Sequence, residues 1–222
     1  MTCEVIENYE LKRHTSFKIG GCAKRAFFPA STEEFEELLQ NLKNPLILGN
    51  CSNVLISSLG IENDVIITSK MDKFEVINNT ITAQCGVKVP MLAREAEHRS
   101  LSGFEFMIGF PGSVGGAVYM NASAHSQAVS DTFKTCRVFD TETKKILELN
   151  KDEMKFAYRS SVLQEGRYIL LDAKFELLPV NKEEISSIMN RNLEFRKGKQ
   201  PSLAMPNAGS IFRNPPNDSA GR

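Results

Sequence analysis

The sequence predicts an α+β fold, because it combines a strong helix signal with signals for several short strands. Ser31-Thr-Glu-Glu34 is a capping box, in which serine and glutamate side chains satisfy backbone N–H groups at a helix start. Short apolar runs such as Leu46–Leu48 have the length of buried strands. Alternating runs on both sides of Asn78-Asn79 are typical of a β-hairpin. A chain of 222 residues with these elements can hold one large domain or two smaller ones.

The first predicted unit contains one helix and three strands. Apolar residues at helical spacing follow the capping box, and Pro45 ends the predicted helix. Leu46–Leu48 and Val54–Ile56 are predicted as short buried strands, and Val65–Ile67 continues the sheet. We expect this first subdomain to cover residues 1–71.

The next segment is richer in strands. Phe74–Ile77 and Thr80–Ala83 form the predicted hairpin, and Pro90 begins a helix that runs to about Arg99. Cys136–Phe139 and Tyr168–Phe175 are predicted strands of the same subdomain, residues 72–182. A further helix is predicted over residues 183–197, and turn-forming residues follow it to the end of the sequence.

Composition excludes several classes of function. Lys and Arg total 27, as do Asp and Glu, so the chain lacks the basic surface of a nucleic-acid-binding protein. No apolar stretch reaches the roughly 18 residues of a membrane span, and the N-terminus does not resemble a signal peptide. We therefore expect a cytoplasmic protein without membrane insertion, and a monomer. Five scattered cysteines without a Cys-x-x-Cys pair, and three dispersed histidines, predict reduced thiols and no metal site.

Two glycine-containing loops are candidates for a binding site. Gly49-Asn-Cys-Ser-Asn53 lies between two predicted strands, where exposed backbone N–H groups can hold phosphate oxygens, although such a loop is often only a turn. Gly109-Phe-Pro-Gly-Ser-Val-Gly-Gly-Ala117 lets the backbone approach a flat or phosphorylated ligand closely. It matches neither the Rossmann nor the P-loop pattern, and a close-packed core crossing is its structural alternative.

Two further segments carry side chains suited to catalysis. Tyr158-Arg159 presents a guanidinium that can hold a carboxylate and stabilise developing negative charge, unless it forms only a surface ion pair. Pro206-Asn-Ala-Gly-Ser-Ile-Phe-Arg-Asn-Pro-Pro216 presents Ser210 after a flexible turn and before rigid neighbours. Small residues before a serine are commonly just a tight turn, so this segment gains weight only beside the others.

Together these segments resemble one enzyme family across almost the whole chain. His14-Thr-Ser-Phe-Lys-Ile-Gly-Gly21, Leu48–Leu55, Gly109–Asn121, Phe156–Arg159 and Pro206–Pro216 have the order and approximate spacing of motifs in UDP-N-acetylenolpyruvoylglucosamine reductases. The resemblance implies a fold of the vanillyl-alcohol-oxidase type, with two α+β subdomains that hold noncovalent FAD. It also implies that residues 183–222 are a linking helix and the start of a small α/β substrate domain.

The resemblance further implies a reaction and its participants. NADPH, the co-substrate, reduces the flavin, and the enolpyruvyl ether of UDP-N-acetylglucosamine is then reduced to UDP-N-acetylmuramate for the cell wall. The serine that protonates substrate matches Ser210, and the arginine that stabilises the enol-like intermediate matches Arg159. Tyr158, Lys199 and Asn214 match positions that contact substrate. The expected cofactor contacts are Gly49, Asn50, Cys51, Ser52, Asn53, Phe110, Pro111, Gly112, Ser113, Gly115, Gly116, Ala117, Asn121 and Ala122.

The sequence departs from the family pattern in a few places. Cys51 stands where glycine is more common, and His125 stands where a tyrosine is common. The short loop after Ser161 suggests the subtype without a tyrosine flap. The family continues beyond the Ala220-Gly-Arg222 step to a second catalytic acid, a glutamate, so we expect an incomplete C-terminus and little turnover from these residues alone. The alternatives are another FAD-dependent oxidoreductase on this scaffold and a non-catalytic flavin-binding module.

Overall fold

The structure is a computed structural model that describes residues 3–202 and 204–222. Its first sheet has the strand order β1-β2-β4-β3. The strands are β1 (Glu4–Glu10), β2 (Cys22–Phe28), β3 (Leu46–Leu48) and β4 (Val65–Ile67). β1 pairs antiparallel with β2, whereas β4 runs parallel to both β2 and β3. Because β3 ends at Leu48, its carboxyl end is followed directly by the first candidate loop, Gly49–Asn53.

Helix α1 (Thr32–Asn41) connects β2 to β3. The Ser31 hydroxyl accepts a hydrogen bond from the Glu34 N–H at 3.2 Å, which confirms the predicted cap. Phe35, Leu38 and Leu39 form the buried face of α1. The helix ends at Asn41, four residues before Pro45, which the sequence had indicated as its end.

The second sheet is entirely antiparallel and has the strand order β11-β10-β12-β6-β5. Its strands are β5 (Phe74–Ile77), β6 (Thr80–Gln84), β10 (Phe133–Asp140), β11 (Lys145–Asn150) and β12 (Tyr168–Glu176). Two short pairs join β7 (Leu101–Ser102) to β13 (Leu178–Pro179) and β8 (Ser123–Ala124) to β9 (Gln127–Ala128). The predicted hairpin around residues 78 and 79 is confirmed by the β5–β6 pairing.

Four more α-helices complete the fold. They are α2 (Val89–His98), α3 (Val114–Tyr119), α4 (Val129–Thr132) and α5 (Lys182–Lys199). Pro90 lies in the first turn of α2, where its missing N–H costs no hydrogen bond. No helix within the described residues is long and apolar enough to cross a membrane.

The side chains of the first sheet contribute to two apolar clusters. In β4, Val65 and Ile67 belong to a smaller cluster with Leu11 and Phe28, whereas Ile66 faces the larger one. That larger cluster contains Phe133 and the helices that pack on the second sheet. Because side chains of a strand point alternately to opposite faces, a strand buried on both faces appears as a continuous apolar run.

The prediction of a strand at Val54–Ile56 is wrong. These residues follow the Gly49–Asn53 loop in irregular structure, and only Ile56 of the three is buried. The parallel position beside β3 is taken by β4 instead. Strand β1 was missed, because its sequence Glu-Val-Ile-Glu-Asn-Tyr-Glu belongs to a partly exposed edge strand with an incomplete apolar face.

Candidate functional site

The loop Gly49–Asn53 begins directly after β3 and presents unpaired backbone donors. The N–H groups of Asn50, Cys51, Ser52 and Asn53 have no acceptor among the residues that the structure describes. Cys51 has a φ of +47°, a left-handed conformation that turns successive N–H groups toward one side. Nε2 of His14 donates to the Gly49 carbonyl at 2.7 Å and fixes the start of the loop. The loop therefore has the donors that an anionic group requires.

The second loop, Phe110–Ala117, is anchored to the segment between β6 and α2. The Val89 N–H donates to the Gly112 carbonyl at 3.1 Å, and the Gly115 N–H donates to the Cys85 carbonyl at 2.7 Å. A Cβ at Gly115 would lie 3.1 Å from that carbonyl oxygen, a tight contact that glycine avoids. The buried Ser113 begins helix α3, and its hydroxyl accepts from the Gly116 N–H.

The fold brings the two loops into direct contact. A Cβ at Gly49 would lie 2.2 Å from the Ser113 hydroxyl oxygen. Nδ2 of Asn50 lies 3.4 Å from the carbonyl oxygens of Pro111 and Gly112. Positions more than 60 residues apart in sequence thus form one surface of backbone and small side chains.

This surface fits a dinucleotide cofactor such as FAD. Besides the four donors of the first loop, the N–H groups of Gly112 and Ser113 have no acceptor within residues 3–202 and 204–222. Unpaired N–H groups beside a helix N-terminus are suited to pyrophosphate oxygens. Gly116 is exposed, and its missing side chain leaves room for a flat ring to approach the backbone. No cluster of three or more metal-ligating side chains occurs in the described part of the chain.

The segment that contains Ser210 lies against the first loop. The Ser16 hydroxyl donates to the Asn207 carbonyl at 2.7 Å, and Nδ2 of Asn53 donates to the carbonyls of Ala208 and Ser210 at 2.6 and 3.1 Å. Ser210 itself is exposed. These contacts place Ser210 beside the first loop, Gly49–Asn53.

Tyr158 and Arg159 form the two central residues of a tight turn. Ala157 and Ser160 exchange backbone hydrogen bonds of 3.1 and 3.2 Å across it, and Arg159 has a φ of +55°. Within the described ranges the Arg159 guanidinium forms no ion pair or hydrogen bond. The alternative interpretation, that Arg159 forms only a surface ion pair, therefore has no support among those residues. The Tyr158 hydroxyl accepts from the Asn214 N–H at 3.3 Å, which joins two of the expected substrate contacts.

The remaining predicted site residues are Asn121, Ala122 and Lys199. Asn121 is buried and uses both ends of its amide internally, since Nδ2 donates to the Ala157 carbonyl and Oδ1 accepts from the Ser130 N–H. Ala122 follows it, and its N–H donates to the Ala117 carbonyl at 2.8 Å. Lys199 is the exposed last residue of α5, and within residues 3–202 and 204–222 its side chain forms no hydrogen bond or ion pair with the loops.

Sequence reasoning assigned no role to three residues that support the site. Ser16 bridges the first loop to the Ser210 segment, because it also binds the Cys51 carbonyl through its N–H at 3.2 Å. His14 holds the Gly49 carbonyl, and both residues lie in the His14–Gly21 motif that carried the resemblance. Gln164 binds the Arg159 carbonyl, and no local pattern in the sequence indicates that contact.

The thiol inside the first loop is protected from ionisation. Burial raises the pKa of the Cys51 thiol to about 12, because a thiolate is poorly solvated among apolar neighbours. A neutral thiol adds no negative charge beside the unpaired N–H groups. Three of the five cysteines, Cys51, Cys85 and Cys136, are buried.

Comparison with known proteins agrees with this geometry. Residues 23–150 match a family described as FAD binding domain. The protein named UDP-N-acetylenolpyruvoylglucosamine reductase of Caldicellulosiruptor bescii is 43% identical over 99% of this chain and 71% of its own length. The relative of the same name from Lactococcus lactis subsp. cremoris is 40% identical over 97% of this chain and 73% of its own length.

Solved structures show the same relationship. The crystal structure of UDP-N-acetylenolpyruvylglucosamine reductase from Thermus caldophilus has a TM-score of 0.85 and 31% identity, covering all of this chain and 78% of that one. A cholesterol oxidase from Brevibacterium sterolicum shares the fold at a TM-score of 0.59 and 12% identity, over 80% of this chain and 38% of that one. The chain therefore belongs to the UDP-N-acetylenolpyruvoylglucosamine reductase family and has an FAD-binding α+β fold of the vanillyl-alcohol-oxidase type.

Proposed function

We propose that this chain is an FAD-dependent oxidoreductase that reduces the enolpyruvyl ether of UDP-N-acetylglucosamine to UDP-N-acetylmuramate. The reaction is a step of peptidoglycan precursor synthesis, and through it the protein would serve cell-wall biogenesis, cell shape, the cell cycle and cell division. The observation that carries the proposal is the contact between two loops with unpaired N–H groups in a chain whose relatives bear this enzyme's name.

FAD is the proposed cofactor, bound without a covalent bond. When bound, FAD would supply the hydride-transfer chemistry between NADPH and the methylene carbon of the enolpyruvyl group. The N–H groups of Asn50–Asn53 are suited to its pyrophosphate, and residues 110–117 to its ring system. Gly49, Asn121 and Ala122 would support these contacts through the backbone arrangement described above.

Arg159 and Ser210 are the proposed catalytic residues. As the hydride arrives, negative charge develops on the carbon next to the substrate carboxylate, and the unpaired Arg159 guanidinium is suited to stabilise it. The Ser210 hydroxyl would then donate a proton to that carbon, which completes addition of two hydrogens across the double bond. Because serine is a very weak acid, a proton relay must restore its proton.

Three residues are proposed to contact the nucleotide part of the substrate. The Tyr158–Asn214 hydrogen bond places two of them together beside the Arg159 turn. Lys199 carries an exposed positive charge at the end of α5, suited to a phosphate group. We also propose subdomain boundaries at residues 1–71, 72–182 and 183–222, and a cytoplasmic monomer as the working form.

The test is a pair of half-reactions followed by the visible absorption of the flavin under anaerobic conditions. Purified protein should contain FAD that denaturation releases, NADPH should bleach its absorption, and the enolpyruvyl substrate should restore it. A flavin that stays attached to denatured chain would favour a covalent oxidase of the same fold. A flavin that NADPH cannot reduce would favour a non-catalytic binding module.

A further inference from the structure

The turn that carries Arg159 has a conformation that needs outside support. Arg159 has a φ of +55°, which residues with a side chain adopt rarely. Ala157 and Tyr158 in the same turn are exposed, so apolar packing contributes little to holding it. Such conformations persist where the surroundings over-determine them.

Gln164 supplies a direct support. Its Nε2 donates to the Arg159 carbonyl at 3.0 Å and to the Tyr119 carbonyl at 2.9 Å. An amide NH₂ has two hydrogens, so both are used by these two carbonyls. Tyr119 is the last residue of α3, and Gln164 therefore fastens the turn to the end of that helix.

Two other side chains strengthen the same junction. Nδ2 of Asn121 donates to the Ala157 carbonyl at 3.1 Å, and the buried Ser161 hydroxyl donates to the Tyr119 carbonyl at 2.8 Å. Among these three side chains only Gln164 binds Arg159 itself. Ser113 in the second candidate loop caps the start of helix α3, so these contacts connect the Arg159 turn to that loop through one helix.

We propose that Gln164 is a positioning residue for Arg159, fixing the turn against helix α3 so that the guanidinium is held in place relative to the glycine-rich loop. The role of Arg159 itself rests on the proposed function. The physical reason is that charge stabilisation depends steeply on geometry, and displacement of a catalytic group by about 1 Å can cost about a hundredfold in rate. Loss of Gln164 removes the donor to the Arg159 carbonyl and one of the two donors to the Tyr119 carbonyl, which loosens the turn.

The first test requires neither cofactor nor activity. Gln164→Met removes the donors and nearly keeps the volume, so trypsin should cut the native chain after Arg159 about tenfold faster. Mass spectrometry of the fragments measures the rate, with cleavage after the exposed Arg213 as internal reference. Gln40→Met is the matched control, since the Gln40 amide donates to Glu36 on the outer face of α1, away from the turn. Equal cleavage after Arg159 in wild type and Gln164→Met would overturn the inference.

The second test separates positioning from general damage. Gln164→Met should slow reoxidation of reduced flavin by the enolpyruvyl substrate about tenfold and leave reduction by NADPH unchanged. In an Arg159→Ala background the same change should have no further effect, because its influence passes through Arg159. Additive losses, or equal slowing of both half-reactions, would reject the positioning role. If Arg159→Ala itself left reoxidation intact, the proposed function of Arg159 would fail, while faster cleavage would still establish the support by Gln164.

Discussion

Gly49 and Ser113 approach so closely that a Cβ at residue 49 would lie 2.2 Å from the Ser113 hydroxyl oxygen. Ser113 is buried and its hydroxyl caps α3, so it has little freedom to move aside. We expect Gly49→Ala to lower the free energy of unfolding by about 1–3 kcal/mol, the usual cost of overpacking. Denaturant unfolding of the apoprotein measures this difference.

Gly198→Ala is the control for this prediction. A Cβ at Gly198 meets nothing within 4 Å, and the residue lies in the last turn of α5. Since alanine is favoured over glycine in helices by at most about 1 kcal/mol, stability should be unchanged or slightly higher. A Gly49→Ala protein as stable as this control would show that the two loops are farther apart than described.

Gly116→Ala tests the candidate cofactor surface without disturbing the fold. Its Cβ would lie 3.7 Å from the Ser113 hydroxyl oxygen, an ordinary contact, and Gly116 is exposed in the chain alone. The apoprotein should therefore unfold at an unchanged or slightly higher temperature. If FAD packs against residues 110–117, the added methyl group should weaken its binding at least about tenfold, a cost of about 1.4 kcal/mol. Titration of FAD fluorescence measures the affinity, and wild-type affinity would place the cofactor elsewhere.

Local chemistry explains which elements could be predicted from the sequence. The Ser31 cap, Pro90 in the first turn of α2 and the β5–β6 hairpin each depend on residues a few positions apart, and each is confirmed. Val54–Ile56 has the apolar character of a strand, but its neighbours in space decided the outcome, and β4 pairs with β3 instead.

The candidate site shows the same limit. The loops and the Arg159 turn were identifiable from glycine, proline and arginine in short motifs. The contacts that join these segments could not be identified from the sequence. Ser16 and Asn207 form a hydrogen bond across 191 sequence positions, and Gln164 lies in no recognisable motif. Asn121 was identified as a site residue from the resemblance, whereas both ends of its amide serve internal contacts.

Alkaline pH should destabilise the protein through its buried thiols. Burial raises the pKa of Cys51, Cys85 and Cys136 from 9.0 to about 12. Between these values the folded chain keeps protons that the unfolded chain releases, so the free energy of unfolding falls as pH rises. Each thiol contributes a slope of up to about 1.4 kcal/mol per pH unit.

Denaturant unfolding over this range should show a shallower decline for Cys136→Ala than for Cys22→Ala, where the thiol is exposed. Equal slopes would mean that Cys136 ionises normally in the folded chain.

Arg159→Ala should separate the two half-reactions. The guanidinium is proposed to stabilise charge that appears only on the substrate, so reduction of flavin by NADPH should be largely intact. The activation barrier for reoxidation by the enolpyruvyl substrate should rise by roughly 3–4 kcal/mol. The rate constant of that step should therefore fall several hundredfold. Arg13→Ala is the control, because Arg13 is exposed and its ion pair is with the neighbouring Glu10. Equal slowing of both half-reactions would make Arg159 a structural residue.

Ser210 should act as a proton donor and not as a nucleophile. Its hydroxyl is exposed beside the first loop, and its carbonyl is held by Asn53, so the backbone is fixed while the side chain can reach a ligand. Ser210→Ala removes only that hydroxyl and should leave the Asn53 contact, FAD binding and flavin reduction unchanged. Reoxidation by substrate should stall, and Ser210→Cys should recover part of the rate because a thiol can also donate a proton. Stopped-flow absorption of the flavin in a full-length enzyme measures both steps. A covalent substrate adduct on Ser210, detected by mass spectrometry of the quenched reaction, would instead assign it a nucleophilic role.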